Sequence, residues 1–397
     1  MSEPTASTHE RSFPPPADLD GLQSKAWIAA GIGIAASLAG WFLDPTQFYR
    51  SYLVSWIFWL SVAAGCLAIL MLHHLSRGAW GLMIRRVLEA AARTLPFLAI
   101  LFIPIVLGLE ETYVWARPEA AADELIQHKA VYLNRTAFVF RTVVYLGVWS
   151  FFAYGLSRLS LRQDRTGDAT LFRRMQVISA PGLGIYCLLT TFAAVDWLMS
   201  LDPHWYSSLF GVYFLGGQGI AALAFVILVA LYLAQREPMA GAFNAGHFHD
   251  YGKLLLAFVM LWTYFAISQL LIIWSADLPE EITWYLERAH GGWKWVSILL
   301  VLFHFLLPFL LLLSSDLKRN AKALGKVALL LLAMRWFDVF WLAAPSFEHG
   351  HLSFHWLDLA TLVGLGGIWL ALFLGQLKTR SLVPVNDPYL VEALDNE

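Results

Sequence analysis

The sequence predicts an all-α integral membrane protein of about ten transmembrane helices, and three observations carry that prediction. Of 397 residues, 58% are hydrophobic and only 14% are charged, whereas soluble chains are about 25% charged. Mean hydropathy is +0.60. Ten apolar stretches recur along the chain, each close to the roughly 20 residues that a helix needs to cross a bilayer. Soluble function classes are excluded on these grounds. Ten spans also leave no room for a large extramembrane domain, so a soluble catalytic or redox module would have to come from another chain. The formal charge of -2 gives no electrostatic footprint, and no nucleic-acid partner is expected.

The expected spans run Ala26 to Leu43, Tyr52 to Leu75, Thr94 to Leu109, Thr136 to Ser157, Val177 to Ser200, Leu209 to Gln235, Lys253 to Ala276, Trp293 to Ser315, Gly325 to Leu342 and His355 to Leu377. They divide the chain into a 1–25 tail, a 26–377 membrane domain and a 378–397 tail. The first span reads as retained, because Glu3, Glu10, Arg11, Pro14-Pro15-Pro16, Asp18 and Asp20 precede any apolar run. The third is the weakest by pattern. It holds Pro96 and Pro104 and stops at Glu110-Glu111, which alone would also suit a re-entrant segment.

Loop charge decides for a crossing. The turns after the second, fourth and eighth spans hold Arg77, Arg85, Arg86 and Arg93, then Arg158, Arg162, Arg165, Arg173 and Arg174, then Lys318, Arg319, Lys322 and Lys326. Those clusters share one side only if the third span crosses. By the positive-inside rule that side is cytoplasmic, and an even number of spans puts both termini there. The basic loops need no role beyond setting topology. The opposite loops are acidic and aromatic, and both tails read as disordered or partner-bound.

A charge at the bilayer centre costs roughly 3 kcal/mol on insertion scales, so it has to face a partner or a wet cavity. Arg335 and Asp338 in the ninth span are the plainest case, since Lys326 is the only other charge in that helix. Arg141 lies about one turn inside the outer end of the fourth span, Asp196 near the outer end of the fifth, and Asp202 and His204 in the turn that follows. Glu280, Glu281 and Glu287 sit in the outer loop after the seventh span, His304 is mid-span in the eighth with Pro308 beyond it, and Glu348, His349, His351 and His355 crowd the last outer turn. The titratable groups thus converge on the extracytoplasmic half, a pattern that suits a site for protons or a polar headgroup opening toward the outside.

Duller readings stand beside these. Arg335 and Asp338 are three apart on one helix face and could simply neutralise each other. His304 could donate to a carbonyl freed by Pro308, the outer histidines could be solvated, and Trp274, Trp284, Tyr285, Trp293 and Trp295 suit an interfacial belt. Cys66 and Cys187 lie in apolar spans and read as small core residues. Without a cysteine cluster, a CxxCH or depth-matched histidines (His73 and His74 end the second span while His304 is central), neither an iron–sulfur cluster nor haem is expected in this chain.

Three blocks carry a family resemblance. Asp196-Trp197-Leu198-Met199-Ser200-Leu201-Asp202-Pro203-His204-Trp205-Tyr206 running to Gly211, then Ser268-Gln269-Leu270-Leu271-Ile272-Ile273-Trp274 with Leu278-Pro279-Glu280-Glu281 and Trp284-Tyr285-Leu286-Glu287-Arg288, then Arg335-Trp336-Phe337-Asp338-Val339-Phe340-Trp341 with Pro345, resemble the F subunit of bacterial alternative complex III. The tail Pro384-Val385-Asn386-Asp387-Pro388 is similar too, whereas the first four spans carry no matching motif. The resemblance implies an NrfD-like or polysulfide-reductase-like membrane subunit, built as two four-helix bundles with flanking helices. It implies a respiratory quinol:cytochrome c (or other periplasmic acceptor) oxidoreductase in the bacterial cytoplasmic membrane, with quinol and lipid as small partners. Iron–sulfur clusters and haem c would reside in partner subunits, beside a sister ten-helix quinone subunit. For this chain it implies a proton path and a quinone region. Asp338 and Asp196 would handle protons, Arg335 would hold Asp338 ionised, and His204, Gln269 and Glu280 would be outer polar neighbours. His304 and Arg141 join this set from burial alone.

Two rival readings remain open at this point. A secondary transporter also uses buried charges and interrupted helices, here Ala180-Pro181-Gly182 and Pro308. A purely structural assembly subunit would have every buried charge paired.

Overall fold

The computed structural model of the chain describes residues 13–347 and 351–394. Ten helices are long and apolar enough to cross a membrane, and no strand occurs among the described residues. The spans are Leu19–Leu43, Pro45–Ser76, Arg85–Leu107, Arg135–Thr166, Thr170–Leu201, Phe210–Leu233, Ala245–Ala276, Trp293–Leu313, Ala321–Ser346 and Trp356–Leu377. The chain is therefore an all-α membrane protein, with a helix at every expected span. Many helices begin before their apolar stretch because a polar cap, not the hydrocarbon boundary, starts them. Asp44 accepts the N–H of Gln47 ahead of Pro45, Asn134 that of Ala137, Asn244 that of His247 and Asn320 that of Ala323. The first helix likewise starts at Leu19, inside the stretch expected to be a tail.

Spans two to five pack in sequence and close on themselves as one four-helix bundle, spans six to nine form a second, and spans one and ten pair alongside. The second and sixth helices meet at the centre and are the most buried of all. Two close approaches need glycine. A Cβ on Gly65 would meet the carbonyl of Gln218 across that central seam, and Gly33 and Gly364 bring spans one and ten into backbone contact.

Two spans are interrupted. The third is a relay of Arg85–Ala92, Leu95–Ile100 and Ile103–Leu107, because Pro96 and Pro104 each lack an N–H to donate. The eighth widens into a π-helical segment at Leu300–Leu306 between Trp293–Leu299 and Leu307–Leu313.

Contacts between loops define two faces. On the arginine-rich face Arg77 donates to Gln176, Arg236 pairs with Asp18, Lys378 pairs with Asp20, and His247 bonds the carbonyl of Ala393 at 2.8 Å. On the opposite face Thr46 donates to Glu111, Lys129 to the carbonyl of Pro203 at 2.6 Å, and Trp205 to that of Glu281 at 3.0 Å. The described parts of both tails share the arginine-rich face.

The structure corrects one expectation here. The C-terminal segment 378–394 is neither disordered nor left for a partner. Arg380 and Asp387 are buried, Asn386 donates to the carbonyl of Asp164 at 2.7 Å, and Leu390 and Ala393 pack into the core.

Candidate functional site

Asp338 is wholly buried and its carboxylate is surrounded by donors from three helices. Arg335, one turn back on the same span, pairs with Oδ2; Tyr213 of span six donates to Oδ1 at 2.6 Å; Trp262 of span seven donates to Oδ2 at 3.2 Å. Span six makes room for the cation, since a Cβ on Gly217 would overlap the Arg335 guanidinium, and the ring of Phe214 lies 5.3 Å from its carbon. Three donors, one of them a guanidinium, thus meet at one buried carboxyl group.

His304 completes the cluster, set edge-on to Trp262 at 4.4 Å within the π-helical segment. It is fully buried, and neither ring nitrogen has a hydrogen-bond partner among the described residues; the same is true of Arg335 Nε and Nη2. The expected alternative of His304 bonding a carbonyl freed by Pro308 is therefore not what the geometry provides.

A second acid site occupies the first bundle. Asp196 is buried and takes both arms of Arg141, at 2.9 and 2.8 Å, with Tyr145 donating at 2.7 Å. Tyr132 stacks on the Arg141 guanidinium at 3.8 Å. Of the residues expected to converge, Asp338, Arg335 and His304 thus gather in one bundle, and Asp196 and Arg141 in the other.

His204 belongs to neither site. It is exposed and bonds Asp123 at 2.8 Å, and the Asp123 carboxyl lies below its ordinary range chiefly through the N–H of Ile126, with His204 adding to it. Glu280 is exposed on the outer helix Pro279–Ala289, and His351 is exposed as well. His355 starts the last span by accepting the N–H of Leu357. Glu348 and His349 lie outside the described residues.

Gln269 does reach the second bundle's site region. It accepts from Ser207 at 3.0 Å and donates to Tyr285 at 3.1 Å, on the wall of a cavity of about 390 Å³ that Tyr213, Trp262 and Arg288 also line. A larger groove of about 810 Å³ opens on the same outer face between His128, Tyr132, Asp202 and His204.

Several buried side chains of these clusters escaped the sequence reading. Tyr213, Trp262 and Tyr145 look like ordinary aromatic residues of apolar spans. Arg85 and Arg86, assigned to topology alone, are fully buried at the start of span three. They share Glu89 with Arg380 and reach Asp387 at 2.7 Å and Asp164 respectively, with Ser157 and Ser160 bridging. From there buried polar groups follow the inner face of span five: Ser179 against His74 at 3.1 Å, Tyr186 against Gln218, and Thr190. Ser179 and Asp196 are about 25 Å apart along that helix at 1.5 Å per residue, close to the thickness of the hydrocarbon core. The repeated three- and four-residue spacing of 179, 182, 186, 190, 193 and 197 was the available signal.

A scan against protein-family models finds no match to this chain, and a search of curated proteins finds none either.

Proposed function

We propose that this chain is a proton-handling membrane subunit of a respiratory quinol:cytochrome c (or other periplasmic acceptor) oxidoreductase of the alternative complex III type. In this reading it sits in the bacterial cytoplasmic membrane with the arginine-rich face and both termini in the cytoplasm, and electrons pass through iron–sulfur and haem c subunits bound to it. The observation that carries the proton role is the Asp338 cluster. A carboxylate, a phenol, an imidazole and a guanidinium meet at membrane depth, where each is costly unless used. Four buried nitrogens of His304 and Arg335 have no partner in it.

Those four nitrogens favour proton handling over a structural pair, which would be retained with its donors matched. In the first bundle the track from Glu89 past Ser179, Tyr186 and Thr190 toward Asp196 offers the same groups spread across the membrane. The assignment to a quinol oxidoreductase rests on the three sequence blocks, all of which lie at or beside these sites.

Purification of the tagged chain from native membranes in mild detergent, with iron and haem analysis, tests the assembly. Iron–sulfur and haem c subunits in fixed ratio to the chain are expected. A homogeneous preparation free of both would overturn the assignment and leave the transporter reading in its place.

A further inference from the structure

Five exposed arginines crowd the turn between spans four and five with no acid to answer them. Arg158, Arg162 and Arg165 lie at the end of Arg135–Thr166, and Arg173 and Arg174 at the start of Thr170–Leu201. Only Asp164 and Asp168 offer carboxylates between Arg158 and Arg174, and both are engaged elsewhere. Asp164 turns inward to Arg86, while Asp168 accepts the N–H of Thr170 at 2.9 Å. The Asp168 carboxyl lies below its ordinary range chiefly through Thr170, and Arg174 and Arg162 add to this only at a distance. None of the five forms an ion pair among the described residues. Setting topology needs positive charge but no particular geometry, which lysine supplies as well. A set of open guanidinium forks is suited to more than that, namely the paired oxygens of a phosphate or carboxylate.

Their place on the helices says which oxyanion. Arg158, Arg162 and Arg165 follow Phe151 at intervals of seven, four and three residues, so all four share one helix face. Arg173 likewise shares a face with Val177 and Leu188 on span five. Phe151 is 71% exposed and Val177 63%, as residues that face lipid are. Each span is 32 residues long, about 48 Å at 1.5 Å per residue, against a hydrocarbon core of about 30 Å. Because the apolar run of span four stops at Ser157, the surplus on this side begins with Arg158. The arginines therefore crown the lipid-facing stripes at headgroup level, directly above the acyl chains that touch Phe151 and Val177. An acidic protein segment would meet the same charges without using those stripes.

From this placement we infer that the turn between spans four and five is a binding site for an anionic phospholipid of the leaflet on the arginine-rich side, its phosphate oxygens held by the guanidinium forks and its chains lying along Phe151 and Val177. The arginines form two groups, one per helix, so a lipid with two phosphodiesters, diphosphatidylglycerol, fits best, one phosphate to each helix. A zwitterionic lipid brings an ammonium that the same arginines repel. The site forms whatever redox partners the chain has.

Native mass spectrometry of the full chain in mild detergent, titrated with diphosphatidylglycerol or with phosphatidylcholine, tests it. Diphosphatidylglycerol should be retained and phosphatidylcholine lost. Replacing three forks together, Arg158→Gln, Arg162→Gln and Arg173→Gln, should weaken retention at least about tenfold. The corresponding three Lys substitutions keep the charge that fixes topology and remove only the forks, and they should weaken it in the same sense. Arg319→Gln with Lys322→Gln, on the other basic turn, should leave it unchanged. In native membranes a photoreactive amino acid in place of Arg162 should form adducts with lipid. Equal retention of phosphatidylcholine, equal weakening by the Arg319 and Lys322 changes, or unchanged retention in both hairpin variants would each overturn the inference. So would displacement of the lipid by inorganic phosphate, which would mean a site for free anions, and an adduct to an acidic polypeptide in place of lipid, which would mean protein docking.

Discussion

Asp338 and Arg335 were readable in the sequence because a charge in an apolar helix has to face a partner or a wet cavity, whereas the groups that surround them were not. Tyr213, Trp262 and Tyr145 are residues that apolar helices carry for packing, and only tertiary contact turns them into donors to a carboxylate. The depth of Arg288 was hidden for a similar reason, since the short helix that holds it looks like a polar loop. Removing one partner of a buried pair strands the other charge, at a cost of about 3–5 kcal/mol, while removing both does not. Thermal denaturation should therefore show Asp338→Leu strongly destabilised and the Arg335→Met, Asp338→Leu double variant close to the parent chain. Equal losses in the two would mean that the pair is not isolated in the way its burial implies. Gly217→Ala is a milder probe. The added methyl overlaps the Arg335 guanidinium, so turnover of the assembled complex should fall with little change in the amount of complex, and wild-type turnover would show that the guanidinium has room to shift.

At the level of elements, hydrophobic length located all ten spans, and loop charge rescued the third. Its crossing is achieved by three short helices rather than one, because each proline interrupts the hydrogen-bond ladder that apolarity alone cannot register. The eighth span's π-helical segment had no periodic signature, yet it aims His304 at Trp262. The C-terminal segment was misread because its composition is that of a tail. What anchors it is the buried network in which Arg85 meets Asp387 and Arg380 meets Glu89. Asp387→Ala should lower the midpoint of thermal unfolding in detergent by several degrees and render 378–394 cleavable by added protease. An unchanged midpoint with the segment still protected would show that apolar contacts of Leu390 and Ala393 suffice to hold it.

Across the whole molecule the two bundles repeat one plan. Each places its buried acid on its last helix, Asp196 on span five and Asp338 on span nine, and each acid precedes by seven residues a proline, Pro203 or Pro345, in the turn that ends the helix. Each acid is held by an arginine and a tyrosine. The sequence concealed this because Asp196 takes its arginine from a neighbouring helix while Asp338 takes it from its own. Orientation is open to a direct check in a background lacking Cys66 and Cys187: single cysteines at positions 111 and 165 should label from opposite sides, 165 from the cytoplasm. Labelling of both from one side would remove the topology on which the proton direction depends. The central claim is that Asp338 moves protons, and proton release per quinol oxidised by the intact complex in proteoliposomes tests it most directly. With Asp338→Asn the account predicts an assembled complex in which quinol oxidation or the number of protons released per quinol falls well below the parent value. Assembly with normal turnover and normal proton stoichiometry would contradict it.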